Sequence, residues 1–117
     1  MSLRIFAISL IGLSIYIYGL LGSAIAHAQE YTIGQKNKLF MLDGKVIDTI
    51  TIKQGDTVNF MNDDPWFHNI YSLSNTKTFD LGSYPQGESR AVTFDKKGVM
   101  EIECAIHPDM HLKVIVK

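Results

Sequence analysis

The 117-residue sequence contains little that would stabilise a fold covalently or attract a polyanion. It has one cysteine, Cys104, which excludes an intrachain disulfide. Its 11 Lys+Arg and 12 Asp+Glu residues nearly balance, so no positive surplus favours a nucleic acid as partner. No segment has a sustained apolar repeat of helical period, which excludes a helical bundle and leaves short strands as the main elements.

One long apolar run is present, at the N-terminus. Arg4 is followed by the uncharged stretch Ile5–Ala26, and Ala26-His27-Ala28 then supplies the small-x-small pattern of a secretory cleavage site. We therefore predict a signal peptide over residues 1–28 and a domain over residues 29–117, exported to the periplasm. The alternative is an uncleaved membrane anchor, because the run is also long enough to span a bilayer.

The predicted mature domain is small and has no disulfide. Only Arg4 among the charged residues lies in the leader, so the remainder has a net charge of −2. A chain of this length buries only about 60–65% of its unfolded surface, and a bound metal would add stability. A lone thiol in an oxidising compartment requires an explanation, whether as an inert core residue, an intermolecular pair or a metal ligand.

Short strands separated by turn residues run through the mature part. Asp43-Gly44 between two apolar segments predicts a two-residue hairpin. The stretch 74–88 contains two glycines and a proline and is predicted to be a long loop. The strands are predicted at 39–42, 45–47, 47–52, 57–61, 68–73, 89–94, 99–104 and 112–116. About seven such strands make an all-β Greek-key β-sandwich.

Four candidate metal ligands lie in two separate stretches. Cys104, His107 and Met110 share one short segment, and His68 lies upstream at the start of a predicted strand. Two imidazoles, one thiolate and one thioether form a donor set that suits copper cycling between Cu(I) and Cu(II). We assign Cys104, His68 and His107 as trigonal ligands and Met110 as the axial ligand. Strand alternation directs the Cys104 side chain inward.

Two other interpretations of these residues stay open at this point. His111, which follows Met110 directly, would replace it as fourth ligand and give three imidazoles and a thiolate, a set that also suits structural zinc. Cys104 would otherwise be an inert core thiol.

The sequence resembles the cupredoxins, or type 1 blue copper proteins, and is most similar to the amicyanin-type group. The similarity covers nearly all of residues 31–117 and includes Gly55-Asp56-Thr57-Val58, His68-Asn69 and the Cys-x2-His-Pro-x-Met segment ending at Met110. The resemblance implies a copper ion near one end of the sandwich, and an edge of the His107 ring at the surface where a redox partner docks. It also implies that Asn69 ties the two ligand segments together.

These observations predict a periplasmic, monomeric electron carrier that binds one copper ion and is not itself an enzyme. Its partners would be redox proteins, such as a cytochrome c or a dehydrogenase, and it would contact a membrane only with an uncleaved leader. The alternative is a periplasmic copper-binding or delivery protein using the same ligands. After leader removal three histidines remain, too few for a second, open metal site, so catalysis would require other subunits.

Overall fold

The computed structural model describes residues 27–117. All but the last two residues of the predicted leader therefore lie outside the described part, and so does the apolar run of the anchor alternative. Within residues 27–117 no helix is long and apolar enough to cross a membrane. The regular elements of this range are all strands.

Ten strands form two sheets of five strands each, as predicted for an all-β sandwich. In chain order they are β1 (Glu30–Lys36), β2 (Leu39–Leu42), β3 (Lys45–Val46), β4 (Thr49–Ile52), β5 (Thr57–Asn62), β6 (His68–Ser72), β7 (Phe79–Tyr84), β8 (Ser89–Thr93), β9 (Gly98–Cys104) and β10 (His111–Val116).

Both sheets mix parallel and antiparallel pairs. The first has the order β3-β2-β1-β5-β8, with β1 parallel to β5. The second has the order β4-β10-β9-β6-β7, with β4 parallel to β10. Five of the nine connections between consecutive strands cross from one sheet to the other, so residues far apart in sequence become neighbours at the ends of the sandwich.

The core lies between the sheets and is built from alternate residues of each strand. Met100, Ile102 and Cys104 of β9 are buried, while Glu101 and Glu103 point to the other face, as the alternation predicts. The same pattern holds in β10, where the even-numbered residues are buried. Aromatic rings fill the remaining space. Their edge-to-face pairs are Phe40–Phe60 and Phe79–Phe94, with centroids 6.5 and 6.4 Å apart.

The predicted hairpin is present between β2 and β3. Asp43 and Gly44 have φ angles of +50° and +77°, the left-handed conformation that a type I′ turn requires at both central positions. Met41 pairs with Val46 and Leu42 with Lys45 across the hairpin.

Two predictions about the strands were wrong. The stretch 74–88 is not all loop, because Phe79–Tyr84 forms the edge strand β7. Gly82 and the irregular register of this strand interrupt its alternation, so it gave no clear periodic signal, and pairing with β6 orders it. Strand β1 was not predicted either, so the sandwich has ten strands rather than about seven. The β6–β7 ladder contains a bulge between Asn69 and Tyr71, which places Gly82 at a φ of +72°.

Candidate metal centre

Pairing of β6 with β9 brings the two predicted ligand segments together. His68 is the first residue of β6, Cys104 is the last of β9, and Ile70 lies opposite Cys104 in the ladder. His68 and Cys104 are 0% and 1% exposed, so both side chains face the core, as their strand positions predicted. Antiparallel pairing thus places an imidazole and a thiol next to each other at one end of the sandwich.

Three donor atoms form a nearly equilateral triangle. Cys104 Sγ lies 3.5 Å from His68 Nδ1 and 3.8 Å from His107 Nδ1, and the two Nδ1 atoms are 3.2 Å apart. The point equidistant from all three is about 2.0 Å from each, close to the metal–nitrogen and metal–sulfur distances of about 2.0–2.3 Å in protein zinc sites. The triangle therefore has the size of a first-row metal site.

The segment after Cys104 is held in place by backbone hydrogen bonds. Ala105 N donates to Asn69 O at 2.9 Å, and Met110 N donates to His107 O at 3.0 Å. Asn69 N donates to Cys104 Sγ at 3.4 Å. Pro108 restricts the backbone of His107 as well as its own. The loop therefore holds His107 and Met110 at fixed positions relative to β6.

Met110 is 1% exposed and belongs to the same buried cluster as Cys104. It therefore lies on the inner side of the loop, where its thioether could serve as a fourth donor to a metal held by the triangle. His111, in contrast, begins β10 on the outer face, and its side chain is 44% exposed and paired with Glu101. The geometry favours Met110 over His111 as fourth ligand.

A buried carboxylate that the sequence analysis missed contacts His68. Asp64 Oδ2 lies 2.7 Å from His68 Nε2, and the Asp64 side chain is only 2% exposed. A carboxylate that accepts from Nε2–H fixes the tautomer in which Nδ1 has a free lone pair, and this lone pair faces the triangle. Sequence reasoning had no signal for this contact, because an i, i+4 spacing indicates neighbours only on a helix and Asp64 lies in the loop before β6.

The Asp64 carboxylate is itself fixed by the turn between β1 and β2. It accepts hydrogen bonds from Asn37 N at 2.6 Å and Lys38 N at 3.0 Å, and both residues have positive φ angles of 55° and 60°. Burial alone would raise the pKa of Asp64, but the hydrogen bonds from Lys38, His68 and Asn37 outweigh it and hold the pKa below its usual value. The carboxylate is therefore ionised at neutral pH.

His107 is the most exposed member of the triangle, since it is half-buried whereas the other two are fully buried. Its pKa is lowered by burial and by its electrostatic interactions with His68 and Lys38, which Asp64 only partly offsets. The neutral imidazole is the form that binds a metal. The Trp66 ring lies beside it, with centroids 6.1 Å apart.

The predicted role of Asn69 differs in detail from the structure. Its backbone N–H and C=O make the ties to the ligand loop, whereas its side-chain Oδ1 is buried without a hydrogen-bond partner among the described residues. The reason is the composition of the loop, because Ala105 and Ile106 have no side-chain donor to offer.

The donor set fits copper better than the alternatives. Two imidazoles and a cysteine sulfur in a triangle, together with a buried methionine from the same loop, match the ligand set of a type 1 copper site. Structural zinc sites are closed by four Cys, His or carboxylate ligands, and only three such residues converge here within residues 27–117.

The structural comparisons agree with this geometry. The reduced Cu(I) form of an amicyanin mutant at pH 4 superposes with a TM-score of 0.66 at 19% identity, covering 81% of this chain and 88% of that chain. Amicyanin from Paracoccus versutus (Thiobacillus versutus) also superposes with a TM-score of 0.66, at 26% identity over 80% and 87% of the two chains.

The fold is that of the cupredoxins. The cupredoxin fold also occurs within enzymes. A Cu-containing nitrite reductase from Thermus scotoductus SA-01 superposes with a TM-score of 0.65 at 23% identity, covering 75% of this chain and 22% of that one. No protein-family model and no curated protein sequence matches the chain. The similarity to cupredoxins is thus carried by the fold and the ligand triangle.

Proposed function

We propose that the protein binds one copper ion through His68, Cys104, His107 and Met110 and transfers single electrons between partner proteins. The observation that carries the proposal is the triangle of His68 Nδ1, Cys104 Sγ and His107 Nδ1, with edges of 3.2 to 3.8 Å. Copper supplies the Cu(I)/Cu(II) couple, which exchanges one electron at a time without breaking a bond.

The surroundings of the triangle favour electron transfer over metal exchange. His68, Cys104 and Met110 are at most 1% exposed, so water and competing ligands are excluded from three of the four donors. Asp64 and the backbone bonds of the ligand loop hold the donors in one geometry. A site that cannot rearrange has little reorganisation to make when an electron arrives, whereas a delivery protein needs ligands that open.

Exposed apolar side chains adjacent in sequence to the ligands His68 and His107 form a rim that offers a docking surface for the partner. We define this rim as Trp66, Phe67 and Ile106, which are 38%, 53% and 48% exposed. Exposed apolar side chains grouped beside a half-buried ligand allow a redox protein to approach the metal closely. We infer a periplasmic location and a cytochrome c or dehydrogenase as partner. The apolar leader with its Ala26-His27-Ala28 motif supports the location.

The spectrum of the copper-loaded protein tests the proposal. We expect the Cu(II) form to have an intense visible thiolate-to-copper band that a reductant bleaches, and Cys104→Ala to abolish it. His111→Ala is the matched control and should keep the band, while Met110→Leu should keep colour but change the paramagnetic resonance spectrum. A coloured Cys104→Ala variant would refute the ligand assignment.

The rate of copper loss distinguishes an electron carrier from a copper-delivery protein. A carrier should lose Cu(I) slowly to a chelator and exchange electrons quickly with a cytochrome c. Rapid loss of Cu(I) together with slow electron exchange would favour copper delivery instead. Phe67→Ser, which removes part of the rim without touching a ligand, should slow electron transfer to the cytochrome and leave the visible band unchanged.

A further inference from the structure

A second buried carboxylate directly precedes β5, at the end of this strand that lies away from the metal centre. Asp56 is 1% exposed and occupies the turn between β4 and β5. Its Oδ1 accepts a hydrogen bond from Gln29 N at 2.7 Å, and its Oδ2 accepts one from Lys53 N at 2.8 Å. Within residues 27–117, no Lys, Arg or His side chain forms an ion pair with this carboxylate.

The position of this carboxylate is fixed by its own backbone. Asp56 N donates to Lys53 O at 3.0 Å, and Phe94 N donates to Asp56 O at 2.8 Å. Carboxylates are seldom buried this completely without a cation, because removing the charge from water is costly. Asp56 is thus a preformed acceptor that has two neutral donors and no counter-charge.

One of the two donors is the backbone nitrogen that follows the predicted cleavage motif. Gln29 comes directly after Ala26-His27-Ala28. Ordered pairing also starts here, because Thr57 N donates to Gln29 O at 3.0 Å and Glu30 lies opposite Thr57 in the β1–β5 ladder. His27 and Ala28 are exposed and lie outside any strand, so the bond between Ala28 and Gln29 is accessible to a peptidase.

We propose that export cleaves the chain between Ala28 and Gln29 and that the new α-ammonium group of Gln29 binds the Asp56 carboxylate. In the cleavage, water adds across the peptide bond, Ala28 leaves with a carboxylate, and the Gln29 nitrogen becomes an amine. Below its ordinary pKa of about 7.7–8.0 this amine takes a proton. The nitrogen is already 2.7 Å from Asp56 Oδ1, so a neutral hydrogen bond becomes a charge-assisted ion pair without movement.

The pairing has two consequences for the mature protein. Cleavage stabilises the fold, because the charged donor binds only in the folded state. It also protects Gln29 from cyclisation, in which the free amine attacks its own side-chain amide and ammonia leaves, because a protonated amine is not a nucleophile. Asp56 would therefore both anchor the new N-terminus and preserve its charge.

The first test uses the full-length chain expressed in a host that exports it. Sequencing and intact mass of the purified protein should give Gln29 as first residue with a free amine. A different first residue, an intact leader or a complete loss of ammonia would overturn the proposal.

The second test is a cycle of four exported proteins. They are the wild type, Asp56→Asn, an insertion of Gly-Ser between Ala28 and Gln29, and the combination. The insertion moves the amine about 7 Å along the chain and restores a neutral amide at Gln29. Asp56→Asn should raise the unfolding equilibrium constant in both backgrounds. We expect the rise to be about 5 to 30 times larger in the wild-type background than in the insertion background. Equal effects in both backgrounds would refute the ion pair.

Controls separate this proposal from a general loss of folding and from the copper site. Asp48→Asn, which removes an exposed carboxylate, should have equal and small effects in both backgrounds. The visible band of the copper-loaded protein should be the same in all four proteins, so a failure of the copper assignment leaves this test intact. If Asp56→Asn does not accumulate, a second experiment takes the place of this variant. A glutaminyl cyclase is used to cyclise Gln29 in the wild-type protein, which removes the amine. Cyclisation without loss of stability would contradict the proposal.

Discussion

Asp64 provides the sharpest test of how the chain positions its metal ligands. Its carboxylate joins His68 Nε2 at 2.7 Å to the N–H groups of Asn37 and Lys38 at 2.6 and 3.0 Å. Asp64→Asn keeps the size of the side chain but replaces one acceptor oxygen with an NH2 donor. Oδ1 accepts only from Asn37 N, whereas Oδ2 accepts from both Lys38 N and His68 Nε2, so the NH2 group should take the Oδ1 position and only the hydrogen bond from Asn37 is lost.

The magnitude follows from which donors water can reach. The turn residues Asn37 and Lys38 are exposed, so water can replace part of what their N–H groups lose. His68 is 0% exposed and keeps an acceptor, but this acceptor is now a neutral amide oxygen, so the bonds from His68 and Lys38 lose their charge assistance at a cost of about 1 kcal/mol each. With the lost bond from Asn37, we expect Asp64→Asn to lower the free energy of unfolding by about 2–3 kcal/mol. The weaker hydrogen bond to the imidazole should weaken copper binding by about 10–100-fold.

Two assays measure these effects. Urea unfolding of the purified variant gives the change in stability, and competition with a chelator gives the change in copper affinity. Asp63→Asn is the matched control, because Asp63 is the exposed neighbour of Asp64 in the same loop and should change neither quantity. Unchanged copper affinity in Asp64→Asn would refute the idea that this carboxylate orients His68.

The remaining predictions concern the surroundings of the centre and the core. Trp66 is the only tryptophan and lies beside the ligand triangle, so stoichiometric Cu(II) should quench its fluorescence, and unchanged emission would place copper elsewhere. Burial raises the pKa of Tyr84 to about 12, so the folded state keeps its proton where the unfolded state loses it. Stability should therefore fall between about pH 10 and pH 12, by up to about 2–3 kcal/mol, and most of this fall should disappear in Tyr84→Phe, since only Tyr71, whose hydrogen bond to Glu103 also raises its pKa, remains. Gly98→Ala should destabilise the protein by about 1–3 kcal/mol, because φ is +140° and the added Cβ would lie 2.9 Å from the Thr76 side chain. Gly34→Ala should cost much less, since its Cβ would meet only the movable end of an exposed carboxylate; equal losses in urea unfolding would contradict this.

The local sequence pattern was sufficient to predict structure wherever strand alternation or turn chemistry acts within a few residues. Asp43-Gly44 predicted its hairpin because both residues tolerate a positive φ. Alternation in β9 predicted that Cys104 faces inward, and it does. Strand β7 escaped prediction because Gly82 and a bulge in the β6–β7 ladder interrupt its alternation, and its order comes from pairing with β6.

The sequence by itself determined the types of donor and the orientation of their side chains. It predicted an inward-facing thiol at the end of one strand, an imidazole at the start of another, and a short loop that carries His107 and Met110. Only the tertiary structure decided that His68 meets Cys104, since that depends on β6 pairing with β9 across 36 residues of chain. It also decided that Asp64 orients His68 and that His111 faces outward beside Glu101. The physical reason is that alternation specifies which face a side chain takes, whereas the neighbour it meets there depends on strand order and register.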